Sequence, residues 1–240
     1  MNPVINTILS HRSIRKFTGQ DIAPEHLNTI IQAGISASSS SLLQAVSVIR
    51  VTDEAKREKL AELAGNQKYV QTAAEFLVFC IDFNRHHQLC SESKLDFIEL
   101  TLIGAIDAGI MAQNCLLTAE SLELGGVYIG GLRNNAKEVD KLLGLPEYSA
   151  VLFGLCLGHP DQQPELKPRL PLDVILHENQ YQDLDLNSIT QYDETMHEYY
   201  AHRTGNNKND SWSEQMASKL SKESRPHIKN YLESKGLATK

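Results

Sequence analysis

Paired cysteines and long apolar runs are both missing from this sequence. Its four cysteines, Cys80, Cys90, Cys115 and Cys156, are far apart, and none belongs to a CxxC pair. That spacing suits neither a zinc site nor a redox dithiol, so we interpret all four as free thiols and expect no metal. Charged residues interrupt the apolar runs before the about 20 residues that a membrane span needs, and no basic and apolar leader follows Met1. We therefore expect a cytoplasmic protein with no membrane partner.

Basic residues are too few for a surface that binds nucleic acid or an anionic membrane. The formal net charge at pH 7 is -7, whereas such surfaces need clustered lysine and arginine. We therefore expect no nucleic-acid partner, and any anionic ligand must be bound by a local basic pocket. Apolar sequence is sufficient for a substantial core, because 41% of the 240 residues are hydrophobic and 22% are charged, as in an ordinary globular domain.

Apolar periodicity and turn residues predict alternating helices and strands. The predicted helices are Asn2–Ser10, Asp21–Ala37, a helix that Asp53 caps and Gly65 ends, Lys94–Leu122, and a helix that stops at Gly144. The predicted strands are Ala45–Val51, Phe76–Asp82, Val127–Ile129 and Ala150–Leu157. Gly125 and Gly126 are expected to end the long helix. The alternation predicts an α/β or α+β sheet sandwich.

Two further features bear on organisation. Within the long helix, Gly104, Ala108 and Ala112 recur at a spacing of four, which permits close helix packing, either inside the chain or between two copies. After about Pro160 the composition changes: residues 162–171 are proline-rich and predicted to be extended, and the chain from Ser188 onward is polar and helical. We expect a core over residues 1–180 and a helical C-terminal extension over residues 181–240 that wraps the core or a partner.

Two clusters of cations are candidate anion sites. His11, Arg12, Ser13 and Arg15 follow the first predicted helix on a segment that alternates side-chain direction, and they offer the guanidinium and hydroxyl donors that a phosphate prefers. The stretch Lys167-Pro168-Arg169 places two cations around a stiffening proline. A solvated basic loop and a surface linker are the respective alternatives.

Small residues mark two more candidate positions. Four consecutive serines, Ser38 to Ser41, follow a helix and precede a strand, so they form either a ligand-contacting or a solvent-facing loop. Tyr128-Ile129-Gly130-Gly131 ends a short strand with unobstructed backbone amides. The glycines lack the GxGxxG spacing and the acidic residue about 20 positions later, which excludes the dinucleotide fingerprint.

These segments together resemble the nitroreductase superfamily, and specifically its oxygen-insensitive NADPH nitroreductase and NADPH-flavin oxidoreductase branch. The resemblance covers essentially the whole chain. The segments that carry it are His11–Phe17, Gly65–Lys68, Val78–Arg85, Gly125–Asn135, Phe153–Gly158 and Leu166–Pro171.

The resemblance implies an α+β sandwich, with a central antiparallel-type sheet flanked by helices, that forms an intertwined homodimer with two FMN sites. His11, Arg12, Ser13, Lys167 and Arg169 would surround the FMN phosphate, and Arg15 would approach the pyrimidine edge of the flavin. Ser39 and Gln67 would hydrogen-bond the flavin, and Tyr128, Ile129, Gly130 and Gly131 would lie near its N5 side. Because the flavin itself performs the hydride chemistry, we expect no side-chain nucleophile.

The same resemblance implies ping-pong kinetics, in which NADPH and the electron acceptor use one pocket in turn. Nitroaromatics, quinones or free flavins would be reduced by two electrons. Arg203 matches the branch's candidate for binding the 2'-phosphate of NADPH. Lys208, a second candidate, stands where a relative can carry arginine, so a flexible point charge replaces a bidentate fork. A mobile polar loop is the alternative for this segment. Glu99 matches a position near the active site and is a candidate modulator, or else a solvent-facing helix carboxylate.

Three functions are therefore considered. The first is the NADPH-dependent, FMN-containing reductase described above. The second is an FMN-binding sensor or carrier without turnover, for which the same cofactor contacts suffice. The third is a structural or interaction protein, in which the basic segments are surface features. Cofactor colour and NADPH consumption distinguish the three.

Overall fold

A computed structural model describes residues 2–203 and 210–240 of the chain. The described residues form a four-stranded antiparallel sheet and eleven α-helices. The strands are β1 (Val46–Arg50), β2 (Glu75–Asp82), β3 (Gly125–Ile129) and β4 (Ser149–Gly158). The helices are α1 (Pro3–Leu9), α2 (Pro24–Ile35), α3 (Glu54–Leu63), α4 (Tyr69–Thr72), α5 (Asn84–Leu89), α6 (Ile98–Ser121), α7 (Ala136–Leu143), α8 (Leu172–Ile175), α9 (Leu186–His202), α10 (Trp212–Leu220) and α11 (Ile228–Ser234). The predicted mixed α+β class with an antiparallel sheet is confirmed.

The sheet has the order β1-β2-β4-β3, and every neighbouring pair is antiparallel. β2 lies between β1 and β4, and seven of its eight residues are buried. Its side chains alternate between two apolar clusters: Phe76 and Val78 face one, and Leu77 and Phe79 face the other. The continuous apolar run therefore belongs to a strand covered on both faces, as predicted.

The long helix α6 packs against the sheet and α2 inside the chain. A side chain at Gly104 would meet Ile81 of β2 at 2.8 Å, and Ala108 and Ala112 are fully buried. The row of small residues therefore serves intrachain packing, which settles the alternative left open by the sequence. On the opposite side of α6, Ile98, Leu102, Ile106 and Ile110 are exposed.

Among the described residues, α6 is also the helix that is long and apolar enough to cross a membrane, with a mean hydropathy of 1.5 in its most apolar window. Buried core helices meet the same criterion. We assign α6 to that class because it packs on β2 through Gly104 and carries the buried carboxylate Asp107 near its middle.

The predicted end of this helix at Leu122 is within one residue of the observed end, but the predicted role of Gly125 and Gly126 as its terminators was wrong. α6 ends at Ser121, and Glu123 takes a left-handed conformation with φ of 62°. The amide of Leu124 donates to the carbonyl of Ala119, and that of Glu123 to the carbonyl of Glu120, which is a Schellman motif. A glutamate thus occupies the position that usually prefers glycine.

Gly125 and Gly126 lie inside β3 instead, where space rather than backbone angle requires them. A Cβ at Gly125 would meet Ile14 at 2.5 Å and Pro160 at 3.1 Å. One at Gly126 would meet the carbonyl oxygen of Cys156 at 2.7 Å. The two glycines allow Ile14, Pro160 and the adjacent strand β4 to approach β3 closely.

The chain divides into two compact units. The first contains residues up to 163 together with residues 225–240, and the second contains residues 164–224. The second unit has its own apolar cluster, in which Tyr192, Met196 and Tyr200 of α9 are buried against Leu170 and Trp212. The expected boundary at residue 180 between core and extension stays a prediction.

The last described residues complete the first unit. The hydroxyl of Tyr231 in α11 accepts from the amide of Val151 in β4 at 3.0 Å and donates to Asp140 of α7 at 3.1 Å. Lys235 forms an ion pair with the same carboxylate at 2.9 Å, and Leu237 is fully buried. All four cysteines are free thiols, as expected.

Candidate functional site

The basic segment of residues 11–17, here called the N-terminal segment, is fixed along the edge of the sheet. Ser13 forms a parallel bridge with Gly126 of β3, and the amide of Ile14 donates to the Gly126 carbonyl at 2.9 Å. Farther along, Phe17 forms an antiparallel bridge with Pro160. Ile14 is 6% exposed and fills the space above Gly125. An apolar anchor inside the segment therefore holds its polar side chains in place.

His11 is paired with a carboxylate of α6. Its Nδ1 lies 2.5 Å from Oε1 of Glu120, and the two side chains are 29% and 11% exposed. Nε2 of the same ring contacts no hydrogen-bonding partner within the described part of the chain. This nitrogen is available to a ligand.

Arg12 lines a cleft of about 350 Å³ together with Ser10, Glu120 and Gln162. The Nε atom of Arg12 is buried and has no hydrogen-bond partner among the described residues. Because a buried donor without a partner is costly, this atom is a reason to expect a ligand here. Arg15 is exposed and pairs with no described residue.

Gly130 and Gly131, here called the glycine turn, bring β3 against the end of α3. A Cβ at Gly131 would clash with the carbonyl oxygen of Ala64 and lie 2.6 Å from Nε2 of Gln67. Gln67 donates from Nε2 to Ala64 at 2.7 Å and accepts from the Tyr69 hydroxyl at 2.7 Å. One amide hydrogen and one lone pair of Gln67 remain open to a ligand.

Two residues preceding the glycine turn differ sharply in exposure. Ile129 is fully buried, whereas Tyr128 is 37% exposed and packs edge-on against Phe153, with ring centroids 5.6 Å apart. Its hydroxyl lies 3.3 Å from Oε1 of Gln113. Burial, and then the nearby Cys115 and Glu120, raise the pKa of Tyr128, so the phenol stays neutral.

The serine loop, residues 38–44, is fixed by a carboxylate from the middle of α6. The hydroxyl of Ser39 donates to Asp107 at 2.6 Å and accepts from the amide of Gln44 at 2.7 Å. The amide of Ser40 donates to the same carboxylate at 3.2 Å. Ser39 has one lone pair left, so it can accept from a ligand N–H but not donate without releasing Asp107.

Left-handed backbone conformations concentrate in this loop. Ser41, Leu42 and Gln44 have φ of 49°, 56° and 52°. Non-glycine residues in this region cost roughly 1–2 kcal/mol each, so the loop is held by its contacts rather than by its own preference. Asp107 and Ser39 also line a cleft of about 450 Å³ with Met111.

Residues 133–135, which follow the glycine turn, hydrogen-bond to other parts of the first unit. Arg133 donates to the carbonyl of Leu152, and burial lowers the pKa of its guanidinium, with Arg225 contributing. Asn135 donates to Leu63 at 2.8 Å, and Asn134 accepts from Arg225 at 3.0 Å. These contacts connect the turn to α3 and to residue 225.

Three more of the predicted site residues, Lys167, Arg169 and Arg203, lie in the second unit. Arg169 donates to the carbonyl of Lys167 at 2.9 Å, and the ammonium of Lys167 lies 5.8 Å from the ring centroid of Tyr200. Arg203, just after α9, lies 5.9 Å from the ring centroid of Tyr199. Lys208 lies outside the described residues. Their predicted roles in binding the FMN phosphate and NADPH stay predictions.

Glu99 is exposed in the first turn of α6 and pairs with no described residue. Nothing in its surroundings assigns it a role. A solvent-facing carboxylate near a helix N-terminus is favoured by the helix dipole, and its role as a modulator stays a prediction.

Sequence reasoning missed two carboxylates, Asp107 and Glu120. Asp107 carries a recognisable signal, because it is the one charged residue between Glu99 and Glu120 in an otherwise apolar helix. Glu120 carries none, since its partner His11 is 109 positions away along the chain. Only the packing of α6 beside the N-terminal segment brings the two together.

Sequence models of one protein family match most of the chain. A model of the nitroreductase family matches residues 8–159, and one of the nitroreductase family C-terminal domain matches residues 167–240. The chain is 66% identical to the NADPH-flavin oxidoreductase of Vibrio harveyi over 99% of both chains. It is 51% identical to the oxygen-insensitive NADPH nitroreductase of Salmonella typhimurium over 100% of both.

Solved structures give the same result. Nitroreductase A from Vibrio parahaemolyticus superposes with a TM-score of 0.96 at 64% identity, covering 100% of each chain. The NADPH:FMN oxidoreductase from Vibrio harveyi, solved in complex with NAD+, superposes with a TM-score of 0.95 at 63% identity, again covering 100% of each chain. On its sequence from residue 8 to residue 240 and on its fold, this chain belongs to the nitroreductase family.

Proposed function

We propose that this protein is an FMN-containing, NADPH-dependent oxidoreductase that reduces nitroaromatics, quinones or free flavins by two electrons. The observation that carries the proposal is the set of open hydrogen-bonding groups on fixed residues of the first unit. The relatives, named as NADPH-flavin oxidoreductase and NADPH nitroreductase, support NADPH as the donor and flavins and nitro compounds as acceptors.

The residues of the first unit fit FMN. The unpartnered Nε of Arg12 and the free Nε2 of His11 suit a phosphate, because both can donate to its oxygens. Gln67 can both donate and accept, as a flavin ring edge requires, while Ser39 can accept from a ring N–H. Gly130 of the glycine turn has no side chain of its own and is only partly buried, so a ligand can approach its backbone. Bound FMN would supply the hydride chemistry, which no side chain in this site can perform.

Lys167 and Arg169 are proposed to add two cations to the phosphate site, and Arg15 to approach the pyrimidine edge. A cation at that edge favours the anionic reduced form of a flavin. The neutral phenol of Tyr128 and the buried Ile129 would limit the access of water to the N5 side of the flavin. Arg203 is proposed to bind the 2'-phosphate of NADPH, and NADPH and acceptor would use one pocket in turn.

A homodimer is part of the proposal. Ile98, Leu102, Ile106 and Ile110 form an exposed apolar row along α6, here called the α6 row, and are 42% to 59% exposed. A contiguous row of this kind is unusual on a monomer and typical of a subunit interface. The α6 row is therefore proposed to contact a second copy of the chain.

The test begins with the purified protein, which should be yellow from bound FMN. NADPH should bleach the flavin absorbance under anaerobic conditions, and faster than NADH does. Steady-state rates with menadione or nitrofurazone should give parallel double-reciprocal lines, as ping-pong kinetics require. A colourless protein that takes up no added FMN would refute the proposal.

The same measurements address the alternative of a sensor or carrier. Such a protein would be yellow but would consume no NADPH in the presence of an acceptor. Sustained turnover therefore excludes it. A colourless protein with no affinity for FMN would instead favour a structural role.

A further inference from the structure

We propose that Glu120 is a positioning residue for the cofactor phosphate, acting through its contact with the His11 imidazole. The inference rests on the proposed function, because it assigns His11 to a phosphate ligand. It adds a residue that neither the sequence motifs nor the family resemblance indicates. The juxtaposition that carries it is the contact of 2.5 Å between Nδ1 of His11 and Oε1 of Glu120.

The chemistry of imidazole makes this contact decisive. A neutral ring carries one N–H and one lone pair, and the nitrogen facing a carboxylate must carry the hydrogen. In the neutral ring, Nε2 would then present a lone pair, which repels a phosphate oxygen. Only the imidazolium offers an N–H to the carboxylate and another to a phosphate at the same time.

The surroundings of His11 support this role for Glu120. The carboxylate is 11% exposed while the histidine is 29% exposed, so the acid is fixed inside and the ring faces outward. Nε2 bonds to no residue of the described chain. The outward nitrogen is thus the one that a ligand would meet.

Few other charges face the ring. Helix α1, directly before it, contains no ionisable side chain. Strand β3 contributes only Tyr128, which stays neutral because burial, Cys115 and Glu120 raise its pKa. Arg12, on the segment itself, is a permanent cation and disfavours a second positive charge beside it. Glu120 is the one anion in contact with His11 within the described chain.

The experiment compares Glu120→Gln with the wild type by titrating each apoprotein with FMN and following quenching of flavin fluorescence. The amide keeps the shape of the carboxylate but removes its charge. We expect the Kd for FMN to rise on the order of tenfold at about pH 8.5, where an ordinary histidine is neutral. At about pH 5.5, where an ordinary histidine is protonated, the ratio of the two Kd values should approach one.

Riboflavin, which lacks the phosphate, serves as the control ligand. Its Kd should be the same for Glu120→Gln and the wild type at both pH values. The comparison at each pH is a ratio between variants, so titration of the phosphate itself, with a second pKa of about 6, cancels. Glu123→Gln, an exposed neighbour of the same chemistry, should leave both ligands unaffected.

A double variant checks that Glu120 acts through His11. On a His11→Gln background, Glu120→Gln should cause no further loss of FMN affinity, since the two effects share one group. Equal losses for FMN and riboflavin, an FMN ratio that does not depend on pH, or full additivity in the double variant would each overturn the inference. Wild-type protein that binds neither ligand would overturn the proposed function itself.

Discussion

At the scale of single residues, the contact between the glycine turn and Gln67 sets a tight steric limit in the candidate site. The two glycines of the turn are adjacent yet differ in their surroundings. Gly131 faces the carbonyl of Ala64 and the amide of Gln67, while a Cβ at Gly130 would find its nearest neighbour, Nη2 of Arg133, at 3.5 Å. Alanine substitutions at the two positions can therefore be compared directly.

Gly131→Ala should lower the free energy of unfolding by roughly 1–3 kcal/mol, because backbone atoms of Ala64 must shift to admit the methyl group. It should also weaken FMN binding, since Gln67 is displaced. Gly130→Ala should change the unfolding free energy by much less. Urea denaturation and FMN titration of both variants measure this, and similar losses in the two would contradict the steric account.

Arg203 tests the assignment of the NADPH site. Arg203→Ala should raise the KM for NADPH several-fold with little change in kcat, as loss of a ground-state contact does. The KM for NADH, which has no 2'-phosphate, should stay near its wild-type value and serves as the internal control. An unchanged KM for NADPH would remove Arg203 from the site.

Individual site residues were predictable from the sequence only as members of motifs. The basic N-terminal segment, the serines and the glycine turn each stand out locally, so they could be identified as candidates. Their partners could not, because Gly126, Asp107 and Glu120 reach them from distant positions in the chain. Such contacts depend on how α6 and β3 pack, which local periodicity does not encode.

At the scale of elements, the end of α6 offers the clearest physical test. Glu123 occupies the left-handed position of the Schellman motif, which costs a non-glycine residue roughly 1–2 kcal/mol. Glu123→Gly should therefore stabilise the protein by roughly 1 kcal/mol, even though glycine is more flexible in the unfolded chain. An increase in Tm seen by calorimetry is the expected result, and a decrease would mean that the Glu123 side chain stabilises the fold.

Strongly periodic elements were predicted well and short ones were not. The four strands and the long helices appear where apolar spacing indicated them. The short helices α4, α5 and α8 were missed, because four to six residues are too few for a helical period to emerge. Glycines misled the prediction at residues 125 and 126, where they serve close packing rather than a helix end.

At the scale of the whole molecule, the α6 row makes the proposed dimer testable. Ile106→Lys places a charge in the middle of the row and should shift the protein from dimer to monomer in sedimentation equilibrium. Leu89→Lys, at a site 86% exposed on α5 outside the row, is the control and should leave the dimer intact. A dimer unaffected by Ile106→Lys would exclude the α6 row as its interface.

The return of the chain to its first unit also affects biosynthesis. Residues 225–240 complete the apolar cover that begins with residues near the N-terminus, after an excursion through residues 164–224. The apolar core of the first unit is therefore incomplete in the growing polypeptide until Tyr231 and Leu237 have emerged from the ribosome. We expect the decisive folding step of the first unit to wait for residues 225–240 rather than to accompany synthesis of the residues before them.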